Sequence, residues 1–247
     1  MRSTLSVEYF VMFVPNTLIE NADTIRELRP HEQAVDFDRD AWDRACPDVD
    51  FDDILGHGAL AISRDQCLNH APQLDPYNLI PCDAAFPALL QLFIAVMVWG
   101  FGRTGYGPHR VAAMLRAPNL KPTLCAVARA IAFGMYGAAY DTFRTAKIPY
   151  LGASFASKYL HFCSARSAYV IKALIFDSRV ASGLRKSNLP PDFWYYLTRT
   201  RSIANSSVHW TASGYLQYLI LMHCWASSLS CTAEQIEYFL FTHGGRA

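Results

Sequence analysis

Residues 147–186 read KIPYLGASFASKYLHFCSARSAYVIKALIFDSRVASGLRK. A short loop containing Gly152 leads into a predicted helix that carries Lys158, and the apolar run 173–176 ends at Asp177, where a second helix is predicted to begin. A loop of small residues before a helix leaves backbone N–H groups that can bind a phosphate at the positive end of the helix dipole. The stretch therefore predicts two helices and an anion-binding loop.

Lys158 and Asp177 are the candidate catalytic residues of this stretch. Lys158 lies between Ser157 and Tyr159 in mostly apolar surroundings, and burial there disfavours the charged ammonium relative to the nucleophilic amine. Asp177 would place a carboxylate at a helix start, facing a buried cleft. An amine and an anion suit cleavage of an N-glycosidic bond through a cationic sugar. Taken singly, a surface lysine and an ordinary helix-capping aspartate are the alternative interpretations.

The stretch resembles the helix-hairpin-helix and Gly/Pro/Asp region of the DNA glycosylase superfamily, in particular its 8-oxoguanine DNA glycosylase group. Residues 157–158 match the end of a hairpin of the form L-P-G-x-G-x-K, and residues 175–180 match the later segment that supplies the aspartate. The lysine and the aspartate are nineteen residues apart, as in lysine-bearing members of the family. The two hairpin glycines are replaced by Ser154 and Ala156, and Gly152 lies two residues earlier, so a differently shaped hairpin is expected.

Two further segments carry the resemblance. Residues 99–107, WGFGRTGYG, resemble the WGxGRTGYG element of bacterial proteins with the 8-oxoguanine glycosylase fold, and residues 236–241 resemble the closing helix. The resemblance covers roughly residues 84–247. It implies a mainly all-α, helix-hairpin-helix DNA glycosylase fold. We therefore predict a less regular acidic N-terminal region at 1–82 and a helical glycosylase domain at 83–247.

The resemblance implies a bifunctional glycosylase and lyase acting in base excision repair. Lys158 would form a Schiff base with the sugar, and Asp177 would stabilise the developing cation. An oxidised base such as 8-oxoguanine is the implied substrate, in double-stranded DNA with the modified nucleotide flipped out. No metal and no organic cofactor is expected.

The expected binding residues are aromatic for the flipped base and mainly cationic for the DNA backbone. Single aromatic side chains are more often part of a core, and cationic ones are often solvated, so these alternatives stay open. The predicted base pocket comprises Trp99, Phe101, Tyr106, Trp210, Tyr238, Phe239 and Phe241, and the predicted DNA contacts are Gly152, Ser154, Ser157, Arg103, His109, Arg110, Arg179, Arg185 and Lys186.

The net charge of +1 conceals a strong asymmetry along the chain. The first hundred residues contain six Lys and Arg against sixteen Asp and Glu, whereas the rest contain sixteen against five. This pattern is typical of polyanion binding, or alternatively of two halves that attract each other. The carboxylates at 36, 38 and 40 lead into Ala41 rather than the glycine of a calcium loop, so no ion is assigned. The acidic region could instead cover the DNA groove, mimic DNA or bind a protein partner.

Composition and cysteine spacing bound the class of protein. Seven cysteines without a CxxC pair argue against a disulfide framework and a zinc site, and the Cys224–Cys231 interval lacks the remaining ligands of an iron-sulfur cluster. The apolar stretches 84–102 and 216–231 contain polar residues or proline, which favours buried core helices over membrane spans. No secretory signal is evident, so a cytoplasmic protein is expected.

Two other functions remain open at this point. The first is a glycosylase acting on modified phage bases in antiviral defence, because bacterial proteins of this type with unusual N-termini are associated with defence gene clusters. The second is a non-catalytic module that binds nucleic acid or a protein. The altered hairpin glycines favour the second alternative, and the presence of both Lys158 and Asp177 favours catalysis.

Overall fold

The computed structural model describes residues 14–78, 80–187 and 211–244. Regular structure among these residues is mostly helical, which confirms the predicted all-α class. In chain order the elements are α1 (Asn16–Glu20), α2 (Ala22–Glu27), a 3-10 turn (Pro30–Glu32), β1 (Ala34–Asp36), α3 (Arg39–Ala45), α4 (Phe51–Leu55), β2 (Ala61–Ser63), α5 (Arg64–Asn69), α6 (Cys82–Phe101), α7 (Gly107–Leu115), α8 (Leu120–Ala132), α9 (Tyr136–Ala146), α10 (Ala153–Ser164), α11 (Ser178–Lys186), α12 (Ala212–Leu229) and α13 (Ala233–Gly244).

The chain folds into two compact units. Unit 1 combines the residues up to 30 with those from 174 onward, and unit 2 spans residues 31–173. This division differs from the boundary expected at 82/83, because the acidic region packs on α6. The indole N–H of Trp99 donates to the carbonyl of Gln33 at 3.2 Å. At the end of α6, Gly102 has φ +53°, and a Cβ there would overlap the side chain of Val35.

Several carboxylates of the acidic region have local structural roles in unit 2. Asp38 and Asp50 accept hydrogen bonds from backbone N–H groups in the first turns of α3 and α4. The guanidinium of Arg39 pairs with Asp43 and Asp52, each at 2.9 Å. The strands β1 and β2 pair antiparallel, with Val35 opposite Ile62. Residues 31–69 of the region predicted to be less regular thus form short helices and a two-stranded sheet in unit 2.

Helix α6 forms the core of unit 2. It is twenty residues long and apolar enough to cross a membrane by length and composition, with a mean hydropathy of 2.0. However, 56% of this apolar segment is buried within the structure, including the run from Leu92 to Trp99. The packing agrees with the core helix predicted at 84–102.

A disulfide joins Cys82 at the start of α6 to Cys125 in α8. The cysteine pattern argued against a disulfide framework and did not predict this single bond. The two residues are 43 positions apart, so their proximity arises from helix packing rather than from a recognisable spacing. Among the described residues, Cys46, Cys67 and Cys163 are free and buried, as small apolar side chains would be.

The helix boundaries differ from prediction between residues 120 and 147. Apolar runs separated by Gly and Pro predict helices at 122–138, 141–147 and 191–204. In the structure, α8 ends at Ala132 and α9 begins at Tyr136. Gly134 interrupts the run with φ +68°, and a Cβ there would lie 2.9 Å from the Tyr169 ring. The helix predicted at 191–204 lies outside the described residues.

In unit 1, α11 packs directly against α13. A Cβ on Gly183 would overlap the backbone carbonyl of Leu240, and one on Gly244 would overlap that of Arg179. Glycine at both positions therefore allows the two helix backbones to approach closely. The N-terminal helices belong to the same unit, since Arg26 donates to the carbonyl of Leu229 at 2.7 Å.

Candidate active site

Lys158 lies in the middle of α10, inside unit 2. Its side chain is only 7% exposed, and its Nζ donates to Oγ of Ser154 at 2.9 Å, one helical turn earlier. The ammonium also lies 5.7 Å from the centre of the Phe155 ring. Lys158 is therefore largely buried beside an aromatic ring, and its role as a nucleophile stays a prediction.

The glycine-rich segment at residues 99–107 contacts the lysine helix. A Cβ on Gly100 would lie 2.7 Å from the Phe155 ring and 3.3 Å from Cδ of Lys158. The Phe101 ring stacks on Phe155 with centroids 4.1 Å apart, and Tyr106 meets Phe101 edge-on at 6.2 Å. The fold thus brings together the two sequence segments that were singled out separately.

The N-terminus of α10 fits the predicted anion-binding loop. Gly152 is the N-cap residue, and within the described part of the chain no side chain caps this end. The first N–H groups of a helix have no partner inside the helix. A Cβ on Gly152 would meet no atom within 4 Å, so there is space beside the N-cap residue itself.

Asp177 is the N-cap of α11 in unit 1. Its Oδ1 accepts hydrogen bonds from the N–H groups of Arg179 at 3.0 Å and Val180 at 3.1 Å. The residue is 9% exposed. Asp177 therefore caps the helix, as the alternative interpretation stated. The same hydrogen bonds also hold its carboxylate in a largely buried position.

The backbone before Asp177 is anchored by two buried tyrosines of α12. The hydroxyl of Tyr215 donates to the carbonyl of Leu174, and that of Tyr218 donates to the carbonyl of Ile175, both at 2.8 Å. The Tyr218 ring also stacks on Phe176 at 4.2 Å. These contacts fix the position from which α11 starts.

The comparison with protein families shows to which family the chain belongs. The model of the family described as "Putative 8-oxoguanine DNA glycosylase OGG-like protein" matches residues 28–241. The chain belongs to this OGG-like family. Searches of curated proteins and of solved structures returned no match. The membership supports a DNA glycosylase as the broad class of enzyme and DNA as its partner.

The OGG-like match begins well before the part of the sequence in which we found a resemblance. It includes residues 28–83, which carry no recognisable motif, and elements within residues 31–69 of this range pack on α6 in unit 2. It also includes both Lys158 and Asp177. Lys158 belongs to unit 2 and Asp177 to unit 1, so their action as a pair stays a prediction.

The aromatic residues predicted for the base pocket of this OGG-like protein differ in exposure. In unit 2, Trp99 is buried beneath the guanidinium of Arg64, 5.2 Å from its ring, whereas Tyr106 is 53% exposed. In unit 1, Phe239 is buried and stacks on His243 at 3.8 Å. The rings of Tyr238 and Phe241 lie parallel at 6.3 Å, and Trp210 lies outside the described residues. The roles of these residues in a base pocket stay predictions.

The predicted DNA contacts in unit 2 lie mainly at its surface. Arg103 and His109 are exposed, and Arg103 pairs with Asp36 at 3.3 Å. Ser157 is completely buried, and its hydroxyl donates to the carbonyl of Ser154. A buried Ser157 cannot reach DNA in this conformation, so its predicted contact is not supported by the packing.

In unit 1, two of the predicted cationic contacts have structural partners. Arg179 lies over the Phe241 ring, with its guanidinium carbon 3.9 Å from the ring centre. Lys186 donates to the carbonyl of Gly244 at 2.8 Å and so supports the last turn of α13. Arg185 is exposed. Contacts of these residues with DNA stay predictions.

Three residues near the nucleophile were not found by sequence reasoning. Phe155 and Gly100 flank Lys158, and Tyr150 lies in the loop before α10. An aromatic residue within an otherwise small-residue helix start was the available signal for Phe155. The thiol of Cys163, on the same helix, is excluded as a competing nucleophile because burial raises its pKa to about 12.

Proposed function

We propose that this OGG-like protein is a bifunctional DNA glycosylase and lyase, with Lys158 as its nucleophile. The observation that carries the proposal is the burial of the Lys158 side chain in the middle of α10, less than two turns after the N-terminus of that helix. A phosphate bound at that N-terminus would hold the DNA backbone near the lysine. The amine would then face the sugar of a flipped nucleotide.

The proposed reaction begins with attack by the side-chain nitrogen of Lys158. Its lone pair forms a bond to C1′ of the sugar, and the N-glycosidic bond breaks with its electron pair leaving on the base, which takes up a proton. Loss of a proton from nitrogen and opening of the sugar ring give a Schiff base. Removal of a C2′ proton then expels the 3′-phosphate by β-elimination, and hydrolysis of the remaining imine releases the lysine.

Asp177 would act through its charge. The sugar becomes cationic as the base departs, and a carboxylate held close to it stabilises that charge in a site of low dielectric. The two N–H groups that bind Oδ1 keep the carboxylate fixed before reaction, which lowers the cost of reorganisation.

The family description supports 8-oxoguanine as the base to test first. Phe101 is buried and contacts both Phe155 and Tyr106, which supports it as a packing group behind the flipped base rather than as a ring that stacks on it. The lysine and the aspartate act on the sugar, so they could equally serve the excision of another modified base. A panel of modified duplexes therefore accompanies 8-oxoguanine in the test.

The experiment measures base release and strand cleavage separately in single-turnover reactions. Asp177→Asn is the informative variant, because asparagine caps helices about as well as aspartate but carries no charge. We expect unchanged folding and a rate of base release lowered by about 10²- to 10³-fold. Lys158→Gln should lose strand cleavage while retaining DNA binding. Binding without base release from any duplex in the panel would instead establish a non-catalytic module.

A further inference from the structure

The loop that precedes α10 presents a tyrosine in an unusual conformation. Tyr150 is 58% exposed and has φ +60°, in the left-handed region that bulky residues rarely adopt. Strained residues of this kind cluster at binding and catalytic sites.

Tyr150 belongs to a small cluster with Arg110 and Tyr106, here named the tyrosine clamp. The guanidinium carbon of Arg110 lies 4.1 Å from the centre of the Tyr106 ring and 5.2 Å from that of Tyr150. Both rings are more than half exposed. The arginine thus contacts two rings from different segments of unit 2 and places a positive charge beside them.

The tyrosine clamp is continuous with the candidate nucleophile. Tyr106 contacts Phe101, Phe101 stacks on Phe155, and Phe155 lies against the ammonium of Lys158. All of these residues belong to unit 2. The clamp therefore lies a few side chains from the atom at which DNA chemistry is proposed.

We propose that the tyrosine clamp stacks on an unpaired base of the DNA beside the flipped nucleotide, with Tyr150 as the residue in direct contact. This inference rests on the proposed glycosylase function. Aromatic faces bind any exposed base without sequence preference, and an adjacent guanidinium attracts the phosphate backbone. Flipping one nucleotide breaks its pair and exposes the opposite base, which supplies such a surface. A strained backbone at an exposed ring costs folding stability, so a role in binding is its expected explanation.

The test compares Tyr150→Gly, Tyr150→Phe and the control Tyr77→Ala, because Tyr77 is also in unit 2 and is 97% exposed. Each protein is titrated onto a duplex that has a tetrahydrofuran abasic analogue opposite 2-aminopurine. We expect Tyr150→Gly to weaken binding by about five- to a hundredfold and to lose the quenching of 2-aminopurine that stacking causes. Tyr150→Phe keeps the ring and should bind within about twofold of wild type.

The glycine variant also separates binding from folding. Glycine adopts φ +60° without strain, so the melting temperature of Tyr150→Gly should equal or exceed that of wild type while affinity falls. Binding and quenching by Tyr150→Gly equal to those of Tyr77→Ala would overturn the inference. Equal losses in Tyr150→Phe and Tyr150→Gly would also overturn it, since the hydroxyl would then be the important group.

Base release by the wild-type protein distinguishes this inference from the proposed function. If the wild type releases the modified base and Tyr150→Gly binds normally, the clamp inference fails and the glycosylase proposal stands. If the wild type releases no base but Tyr150→Gly loses affinity and quenching, the glycosylase proposal fails and stacking by Tyr150 stands.

Discussion

Gly100 contacts both side chains that define the surroundings of the candidate nucleophile. Its missing Cβ would lie close to the Phe155 ring and to Cδ of Lys158. The Phe155 ring is held in turn by its stack on Phe101. A methyl group at residue 100 must therefore move the ring or the lysine stem, and reactions that depend on positioning are sensitive to shifts of about 1 Å.

Gly100→Ala is expected to lower activity more than stability. Alanine in a helix gains about 1 kcal/mol over glycine, which offsets an overpacking cost of about 1–3 kcal/mol. We expect the unfolding free energy to change by less than about 2 kcal/mol and the rate of base release to fall at least about tenfold. Urea unfolding and single-turnover assays measure the two effects.

Gly105→Ala is the matched control, because a Cβ at Gly105 meets no atom within 4 Å. It should leave both the rate and the unfolding free energy close to those of wild type. Equal activity in Gly100→Ala and Gly105→Ala would show that contact with Gly100 does not position Lys158.

Ser154 illustrates what a departure from a motif can mean. It replaces a hairpin glycine of the resembled family and was predicted to contact DNA. In the structure its hydroxyl accepts a hydrogen bond from Lys158, one turn along the same helix. The motif alone could not predict this contact, because it depends on α10 extending from Ala153 through Lys158 as a regular helix.

At the scale of elements, the position of Asp177 depends on the packing of α11 against α13. The two helices approach so closely at Gly183 that no side chain fits against the Leu240 carbonyl. Backbone cannot rotate away from a new methyl group as a side chain can. Relief of the overlap requires the helices to separate.

Gly183→Ala is therefore expected to destabilise unit 1. We predict a loss of about 3 kcal/mol in unfolding free energy, at the upper end of the usual overpacking cost. Base release should fall in parallel, since α11 carries Asp177 as its cap. Thermal melting followed by circular dichroism, with Gly105→Ala as the neutral reference, measures the effect. A melting temperature equal to that of the reference would contradict the packing.

The sequence was sufficient to predict the elements that have local signals. Apolar periodicity predicted α6 and α12, and the apolar run ending in Asp177 predicted the start of α11. The break between α8 and α9 at Gly134 was missed, because an isolated glycine is tolerated in many helices and this one is fixed by contact with Tyr169. Local propensity does not contain such tertiary contacts.

The candidate site could be predicted only in part, for the same reason. The types and spacing of Lys158 and Asp177 stood out in the sequence because of their family resemblance. The flanking contact at Gly100 and the ring pair around Arg110 join segments forty or more residues apart. No pattern within either segment signals such a contact before the fold is known.

At the scale of the whole molecule, the charge asymmetry has two explanations that can now be compared. Two ion pairs within unit 2 join the acidic first hundred residues to the basic remainder: Arg103 with Asp36 at 3.3 Å, and Lys121 with Asp83 at 2.5 Å. Mutual attraction of the two halves is thus present at these positions. Exposed pairs of this kind contribute about 0–1 kcal/mol each, so they can exchange for phosphate contacts at little cost.

The disulfide makes the stability of unit 2 dependent on redox conditions. The bond closes a loop between Cys82 and Cys125, which restricts the unfolded chain. Reduction should therefore lower the unfolding free energy by about 2–4 kcal/mol. Melting with and without dithiothreitol measures this loss. A double Cys82→Ala, Cys125→Ala variant should have a melting temperature close to that of the reduced protein, and the reductant should not change it. Melting of the wild type that is unaffected by reductant would contradict the assignment.

Trapping with borohydride tests the central proposal about Lys158 most directly, because it reduces a Schiff base to a stable covalent bond. The control is Lys172→Gln: Lys172 is a half-buried lysine of unit 2 whose pKa is lowered by burial, so it is the natural competitor. On a duplex containing 8-oxoguanine or an abasic site, we predict an adduct with wild type and Lys172→Gln and none with Lys158→Gln. An adduct that persists in Lys158→Gln, or its absence in wild type despite DNA binding, would contradict the proposal.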